Sequence, residues 1–143
     1  MGEFSDSVMI ALLPTSSAWC KQPLPHMTLV YCGKTDDLNL GNKNEMAKVA
    51  LNLAMSCCPL TCAVTGVDGY GDDGSEEVLT LQTTPELLAM RSTVEKWNAS
   101  EYSFSPHVTC GPLGTVGDDI PSEISFDRIC VCWGDEQMSF KMI

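Results

Sequence analysis

The stretch that decides the fold is "LPHMTLVYCG", residues Leu24 to Gly33, in which a histidine follows a proline and precedes a run typical of a β-strand. A second stretch, "SPHVTCGPLG" from Ser105 to Gly114, repeats the order Pro, His, apolar residue, Thr. His26 and His107 are the only two histidines of the chain. Because side chains two residues apart on a strand point to the same side, each stretch presents an imidazole and a hydroxyl on one face.

The remaining sequence predicts an α+β fold with the element order β-β-α-β-β-α-β-β-β. The first helix, "NKNEMAKVALNLAMSC", has a capping box of Asn42 and Glu45, and the second, "TPELLAMRSTVEKWN", has Thr84 as its N-cap and Pro85 at its first position. Apolar residues recur at helical spacing in both. In the first helix these are Met46, Val49, Ala50, Leu53, Ala54 and Cys57, and in the second Leu87, Met90, Val94 and Trp97.

The two halves of this order resemble each other, since each has strands, one helix and one Pro-His-x-Thr strand. We therefore predict a single domain over residues 1–143, built of two pseudo-symmetric lobes of antiparallel strands and one helix each. A chain of 143 residues suits one core of this size. Two lobes of this kind would bring both histidines to a central cleft.

Strict alternation along "HMTLVYC" predicts which residues of the first motif strand share the cleft face. His26, Thr28 and Val30 are expected on that face. Met27, Leu29 and Tyr31 are expected on the other face, with Tyr31 buried.

Two converging imidazoles and two hydroxyls suit a displacement at a phosphodiester. The reference pKa of histidine lies near 6.5, so one imidazole can be a general base while the other is a general acid. Thr28 and Thr109 would donate hydrogen bonds to the non-bridging phosphate oxygens, where negative charge develops. This scheme requires no metal ion, and we predict no cofactor.

The motifs "HMTL" (His26 to Leu29) and "HVTC" (His107 to Cys110) resemble the paired His-x-Thr/Ser motifs of the two-histidine phosphoesterase superfamily. That superfamily includes RNA 2′,3′-cyclic phosphodiesterases, once called 2′,5′-RNA ligases, and viral enzymes that degrade host signalling oligonucleotides. The resemblance implies two pseudo-symmetric lobes with a cleft between them. It also implies that His26 and His107 are the catalytic pair and that Thr28 and Thr109 are the phosphate ligands. Which histidine is the base stays open.

Charge and composition bear on the substrate and the location. The net charge is −11, with only eight scattered Lys and Arg residues, which is unfavourable for long nucleic acids because these are held through their phosphates. Lys21, Lys34 and Lys141 are the nearest basic candidates by position. No apolar run approaches the length of a membrane span and no secretory signal is evident, so we predict a cytoplasmic protein without a membrane partner, in the host cytoplasm if it is viral.

Three aromatic residues are candidates for binding a nucleotide base. Trp19 and Trp133 could stack on it, and Tyr70, in the glycine-rich turn "VDGYGDDG", could cover it. The alternatives are that the two tryptophans belong to the core and that the turn is a plain hairpin loop. Glu136 could shape the site or be a solvated charge.

The sequence thus predicts a metal-independent phosphodiesterase acting on small nucleotides: cyclic oligonucleotide signals, 2′,5′-linked or 2′,3′-cyclic species. A phage or viral member that counters host nucleotide signalling is one interpretation, and an enzyme that opens 2′,3′-cyclic RNA ends is another. A module that sequesters a nucleotide without cleaving it is a rival from a different class. A zinc protein is a third possibility because the chain has eight cysteines, although their spacing lacks paired C-x-x-C motifs, and we expect most of them to be buried and reduced.

Overall fold

A computed structural model describes residues 6–16, 25–70, 76–101, 103–112 and 120–143, which contain two α-helices and seven strands in the predicted order. The strands are β1 (Ser7–Pro14), β2 (Met27–Lys34), β3 (Leu60–Tyr70), β4 (Glu76–Leu81), β5 (His107–Pro112), β6 (Glu123–Trp133) and β7 (Glu136–Lys141). The helices are α1 (Leu40–Ser56) and α2 (Pro85–Val94). The predicted α+β class is confirmed.

The strands form one antiparallel sheet in the order β1-β2-β5-β4-β3-β6-β7, and β1 also pairs with β6. Strand β6 pairs with β3 through its first residues and with β1 along most of its length, so the sheet returns to its first strand. Strands β2 and β5, which carry the two motifs, are adjacent. The division into two pseudo-symmetric lobes stays a prediction.

The main hydrophobic core lies between the sheet and the helices, and we call it the helix-side core. Helix α1 packs on β6 and β7, and α2 packs on β2. The largest fully buried side chains of this core include Phe126, Ile10, Leu12, Met27 and Leu29. Each such side chain contributes about 1.5–3 kcal/mol through its removal from water. The predicted helical stripes pack into this core, with Met46, Ala50, Ala54, Leu87, Met90 and Val94 fully buried.

A smaller apolar cluster lies on the other face of the sheet and consists of Met9, Ala11, Leu13, Cys130 and Cys132. Strand β1 is therefore apolar on both faces, which explains why its whole length is buried and why its sequence is a continuous apolar run. The cluster shares its face with Thr28, whose Oγ1 lies 3.6 Å from Sδ of Met9.

The strict alternation predicted for β2 is wrong beyond Thr28 because the strand contains a bulge. Ala11 pairs with Thr28, but the next residue of β1, Ile10, pairs with Val30, so Leu29 is the additional residue. Val30 consequently joins the helix-side core. Tyr31, predicted to be buried on that side, is half-buried and lies opposite Met9.

Helix α1 begins three residues earlier than the predicted capping box requires. Asn39 is the N-cap, its side chain accepts a hydrogen bond from the Asn42 amide at 2.9 Å, and the Asn42 side chain accepts one from the Asn39 amide at 3.0 Å. The predicted cap of α2 is confirmed, because Thr84 Oγ1 accepts from the Leu87 amide at 3.1 Å. Neither helix in the described part of the chain is both long and apolar enough to cross a bilayer.

The corrected cap gives a stability prediction. Asn39→Ala removes the side-chain acceptor for the Asn42 amide and should lower the free energy of unfolding by about 1 kcal/mol in urea denaturation. Glu45→Ala, at the position that the sequence predicted as capping, should change it by less than half as much, because Glu45 makes only an exposed ion pair with Lys96. Equal effects of the two substitutions would contradict this cap.

Candidate active site

The two motif strands are joined by a single described ladder pair, in which Met27 lies opposite Val108. Extending this antiparallel pairing by one residue in each direction places His26 opposite Thr109 and Thr28 opposite His107. Directly opposite residues on one face have Cβ atoms about 4.5–5.5 Å apart. The register therefore brings both imidazoles and both hydroxyls into one patch, and we call the sheet face that carries these four residues the motif face.

Burial distinguishes the two faces of this seam. Met27 and Val108 are fully buried in the helix-side core. His26, Thr28, His107 and Thr109 are half-buried, and none of them belongs to that core. The four polar side chains are therefore fixed by an apolar anchor beneath them, and they retain access from the other side.

The imidazole of His107 is oriented by its own chain. Its Nδ1 lies 2.8 Å from the carbonyl oxygen of Ser105. A carbonyl oxygen can only accept, so Nδ1 carries the proton in the neutral ring and Nε2 carries the lone pair. His107 thus presents Nε2 as the atom that can accept a proton, and it presents an Nε2–H donor once protonated.

This contact predicts the tautomer of His107. Long-range ¹H–¹⁵N correlation of the histidine side chains at a pH where the ring is neutral should show a protonated Nδ1 and an unprotonated Nε2. Finding the proton on Nε2 would contradict the bond to Ser105. His26 provides the internal comparison in the same spectrum.

Strand β4 forms the border of the patch beyond β5. Thr80 lies opposite His107 and Val78 opposite Thr109. The Thr80 hydroxyl is hydrogen-bonded to the hydroxyl of Thr65, which lies on β3, at 2.8 Å. On the other side, Ala11 and Leu13 of β1 separate the patch from Cys130 and Arg128 of β6.

Most of the described cysteines are buried, and none of them forms a disulfide. The seven described cysteines are free thiols. Burial raises the pKa of Cys32 to about 12. Cys130 and Cys132 have their sulfur atoms 3.5 Å apart, and that hydrogen bond lowers the pKa of Cys130 while it raises that of Cys132. Among the described residues, no three His, Cys, Asp or Glu side chains are grouped as a metal site would require.

Of the three predicted base-binding aromatics, only Trp133 has a described side chain. Trp133 lies opposite Val8 and packs against the helix-side core, with Nζ of Lys43 from α1 5.8 Å from its ring centroid. It alternates with Cys132 along β6, so it faces away from the motif face. Tyr70 ends β3, but its side chain lies outside the described residues, as does all of Trp19. Their roles stay predictions.

The charged candidates are also distributed over the structure. Lys34 pairs with Asp6 at 3.3 Å, and Lys21 lies outside the described residues. Glu136 pairs with Lys43 beside Trp133, so it does not belong to the motif face. Lys141 lies opposite Arg128, a residue on the motif face that sequence reasoning missed. The alternation of Arg128 with Cys130 and Cys132 along β6 is the sequence pattern that could have identified it.

A groove of about 420 Å³ lies elsewhere, between the C-terminal half of α1 and α2. Leu53, Cys58, Glu86 and Met90 are among its lining residues, and neither motif reaches it. No imidazole is among its lining residues. The motif face has the acid–base groups and the groove does not.

Comparison with known proteins places the fold. No protein-family model and no curated protein matches the sequence. Similar solved structures include Usb1 of Kluyveromyces marxianus (12% identity, 96% of this chain and 99% of that chain, TM-score 0.61) and TT0787 of Thermus thermophilus (12%, 96% and 95%, 0.62). LigT of E. coli, in a complex with phosphate, is another (13%, 96% and 94%, 0.55).

Other structures of these neighbours contain nucleotides. LigT has been solved with 3′-AMP and with NADP+, and Usb1 with uridine monophosphate. A further similar structure is that of a phosphoesterase (12% identity, 96% of this chain and 96% of that chain, TM-score 0.54). Since the alignment covers nearly all of both chains in each case, the chain shares the fold of these solved structures, which agrees with the α+β fold expected from the sequence.

Proposed function

We propose that this protein is a metal-independent phosphodiesterase that hydrolyses small nucleotide phosphodiesters. The observation that carries the proposal is the pairing of Met27 with Val108, because it aligns the two His-x-Thr motifs on one half-buried face. The solved structures of the same fold with phosphate and nucleotides support a small phosphorylated ligand.

The proposed chemistry divides two proton transfers between the histidines. One neutral imidazole removes a proton from the attacking water as its oxygen bonds to phosphorus. The other, protonated, imidazole donates a proton to the ribose oxygen as the P–O bond breaks. For a 2′,3′-cyclic phosphate the product is a nucleoside monophosphate. Such acid–base catalysis contributes about 10²–10⁴-fold from each group.

The threonines are proposed to stabilise the charge on the phosphoryl oxygens. The Thr28 hydroxyl donates to the thioether sulfur of Met9, and a thioether is a weak acceptor that a phosphate oxygen can replace at low cost. Thr109 lies directly across from His26 in the extended register. Two hydroxyls on the motif face suit a phosphate whose non-bridging oxygens become more negative during the reaction.

The candidate substrates are 2′,3′-cyclic nucleotides and oligonucleotide ends, together with 2′,5′-linked and cyclic oligonucleotides. A net charge of −11 disfavours long nucleic acid, which requires an extended basic surface. A role against host nucleotide signalling, a viral origin and a cytoplasmic location stay predictions from the sequence.

The proposal predicts that turnover depends on both histidines. Incubation with adenosine 2′,3′-cyclic phosphate, 2′,5′-oligoadenylate and cyclic di- and trinucleotides in EDTA, followed by chromatography, should show cleavage of at least one. His26→Ala and His107→Ala should each lower kcat at least 100-fold, because each removes one proton transfer. Wild-type kcat/KM should fall at both ends of the pH range, since one ring must be neutral and the other charged.

The threonines give a second, graded prediction. Thr28→Val and Thr109→Val retain shape but remove a donor, so each should lower kcat about 10²–10³-fold. Thr61→Val is the matched control, because Thr61 is exposed on β3 and its hydroxyl bonds to that of Ser125, away from both motifs. Its activity should stay within twofold of wild type.

Three outcomes would contradict the proposal. Activity that disappears in EDTA and returns with zinc would indicate a metal enzyme. Full activity in either histidine variant would remove that residue from the mechanism. A folded wild-type protein that binds nucleotides tightly but cleaves none would establish the rival sequestering module.

A further inference from the structure

We propose that Arg128 binds a second phosphate of the substrate, on the nucleotide next to the phosphodiester that is cleaved. The inference rests on the proposed function, and it goes further by assigning a substrate class: oligonucleotides with at least two phosphates, in preference to mononucleotides. Arg128 lies outside both motifs, on β6.

Arg128 projects from the motif face of the sheet. Its neighbour Ile129 is fully buried in the helix-side core, and Cys130 belongs to the cluster on the opposite side. Because side chains alternate along a strand, Arg128 shares the side of Cys130. Thr28, on the same side, is linked to this cluster through Met9.

The guanidinium extends across β1 toward β2. The amide of Thr15 donates to the Ser125 carbonyl of β6 at 2.9 Å, so this end of the Pro14–Thr15 peptide faces β6. In a trans peptide the N–H and the C=O point in opposite directions, and no described peptide bond is cis, so the Pro14 carbonyl faces β2. Nη2 of Arg128 donates to that carbonyl at 2.9 Å. The charged group therefore lies on the β2 side of β1.

Arg128 and His26 lie opposite the same residue of β1, on the two edges of that strand. Leu12 pairs with Met27, so the register extended by one residue aligns Leu13 with His26. Leu13 also pairs with Arg128. Since adjacent strands lie about 4.8 Å apart, a guanidinium that has crossed β1 is about one strand spacing from the strand of His26.

Two contacts fix the orientation of the guanidinium. Nε donates to Oδ1 of Asp127 at 3.2 Å and Nη2 donates to the Pro14 carbonyl. The described residues provide no hydrogen-bond partner for Nη1, so one N–H of Nη1 and the second N–H of Nη2 remain as a pair of donors. Such a fork matches two oxygens of a phosphate. Asp127 offsets part of the positive charge, but it also holds the side chain in this position.

Lys141 is the neighbour of Arg128 in the sheet, but it does not share the position of the guanidinium. It lies opposite Arg128 on β7, at the edge of β6 away from β1, whereas the guanidinium extends toward Pro14 of β1. The second phosphate is therefore assigned to Arg128 alone. Arg128 lies on the side of His26 away from β5, so the phosphate it attracts is not the one between the two histidines.

The test compares ligands with one and two phosphates. Adenosine 3′-phosphate and adenylyl-(3′→5′)-adenosine 3′-phosphate are titrated by calorimetry into wild type, Arg128→Ala, Arg128→Lys and Lys96→Ala. Lys96→Ala is the charge-matched control, because Lys96 is exposed and pairs with Glu45 of α1. Neither ligand has a cyclic phosphate, and chromatography after each titration checks that the phosphodiester of the dinucleotide is intact, so that the result does not depend on turnover.

Wild type should bind the two-phosphate ligand more tightly. Arg128→Ala should weaken that binding at least tenfold, as expected for loss of a charge-assisted hydrogen bond, and should change binding of adenosine 3′-phosphate by less than twofold. Arg128→Lys should be intermediate because it retains the charge without the fork, and Lys96→Ala should match wild type.

Equal weakening of both ligands by Arg128→Ala, or no weakening of either, would overturn the inference, as would a wild type that does not distinguish the ligands. The proposed function is tested separately by opening of adenosine 2′,3′-cyclic phosphate, which has one phosphate. A protein that fails this reaction but binds the two-phosphate ligand through Arg128 would overturn the catalytic proposal and leave the assignment of Arg128 standing.

Discussion

The candidate site depends on one antiparallel pairing, that of Met27 with Val108 at the seam between β2 and β5. Each residue is the x of a His-x-Thr motif, and each is fully buried beneath the helices. A slip of one residue in either strand would move its histidine and threonine into the core. Burying an unpaired polar group costs about 1–3 kcal/mol. The apolar residue at the centre of each motif therefore fixes the register that leaves the histidine and the threonine on the motif face.

The local sequence was sufficient for much of this fold. The order of the elements, the apolar run of β1 and the Thr84–Pro85 start of α2 follow from short-range patterns, and the structure confirms them. The errors arise where a neighbouring strand decides the outcome. The bulge at Leu29 exists because of how β2 pairs with β1, and it reverses the faces of Val30 and Tyr31. Nothing in "HMTLVYC" alone indicates it.

The same distinction applies to the site. Both motifs were visible in the sequence because each lies within four residues, and their meeting at one cleft was predicted from the internal duplication, with which the family resemblance agrees. Trp133 was a stacking candidate with a core position as the alternative, and the sequence could not decide between them because its side is set by pairing with Val8 and packing near α1. Arg128 was missed because its position depends on Pro14, a residue far away in the chain. In an acidic protein, the few basic residues carry more information from their placement in the sheet than from their number.

The most direct test of the central claim is a crystal structure of the protein with adenosine 3′-phosphate, the type of product that opening a 2′,3′-cyclic phosphate yields. The account predicts the phosphate on the motif face, with oxygens within about 2.6–3.2 Å of a ring nitrogen of each histidine and of the hydroxyls of Thr28 and Thr109. A phosphate bound in the groove between α1 and α2, or one that contacts only one of the two motifs, would contradict the claim that the paired strands form a single phosphodiester site.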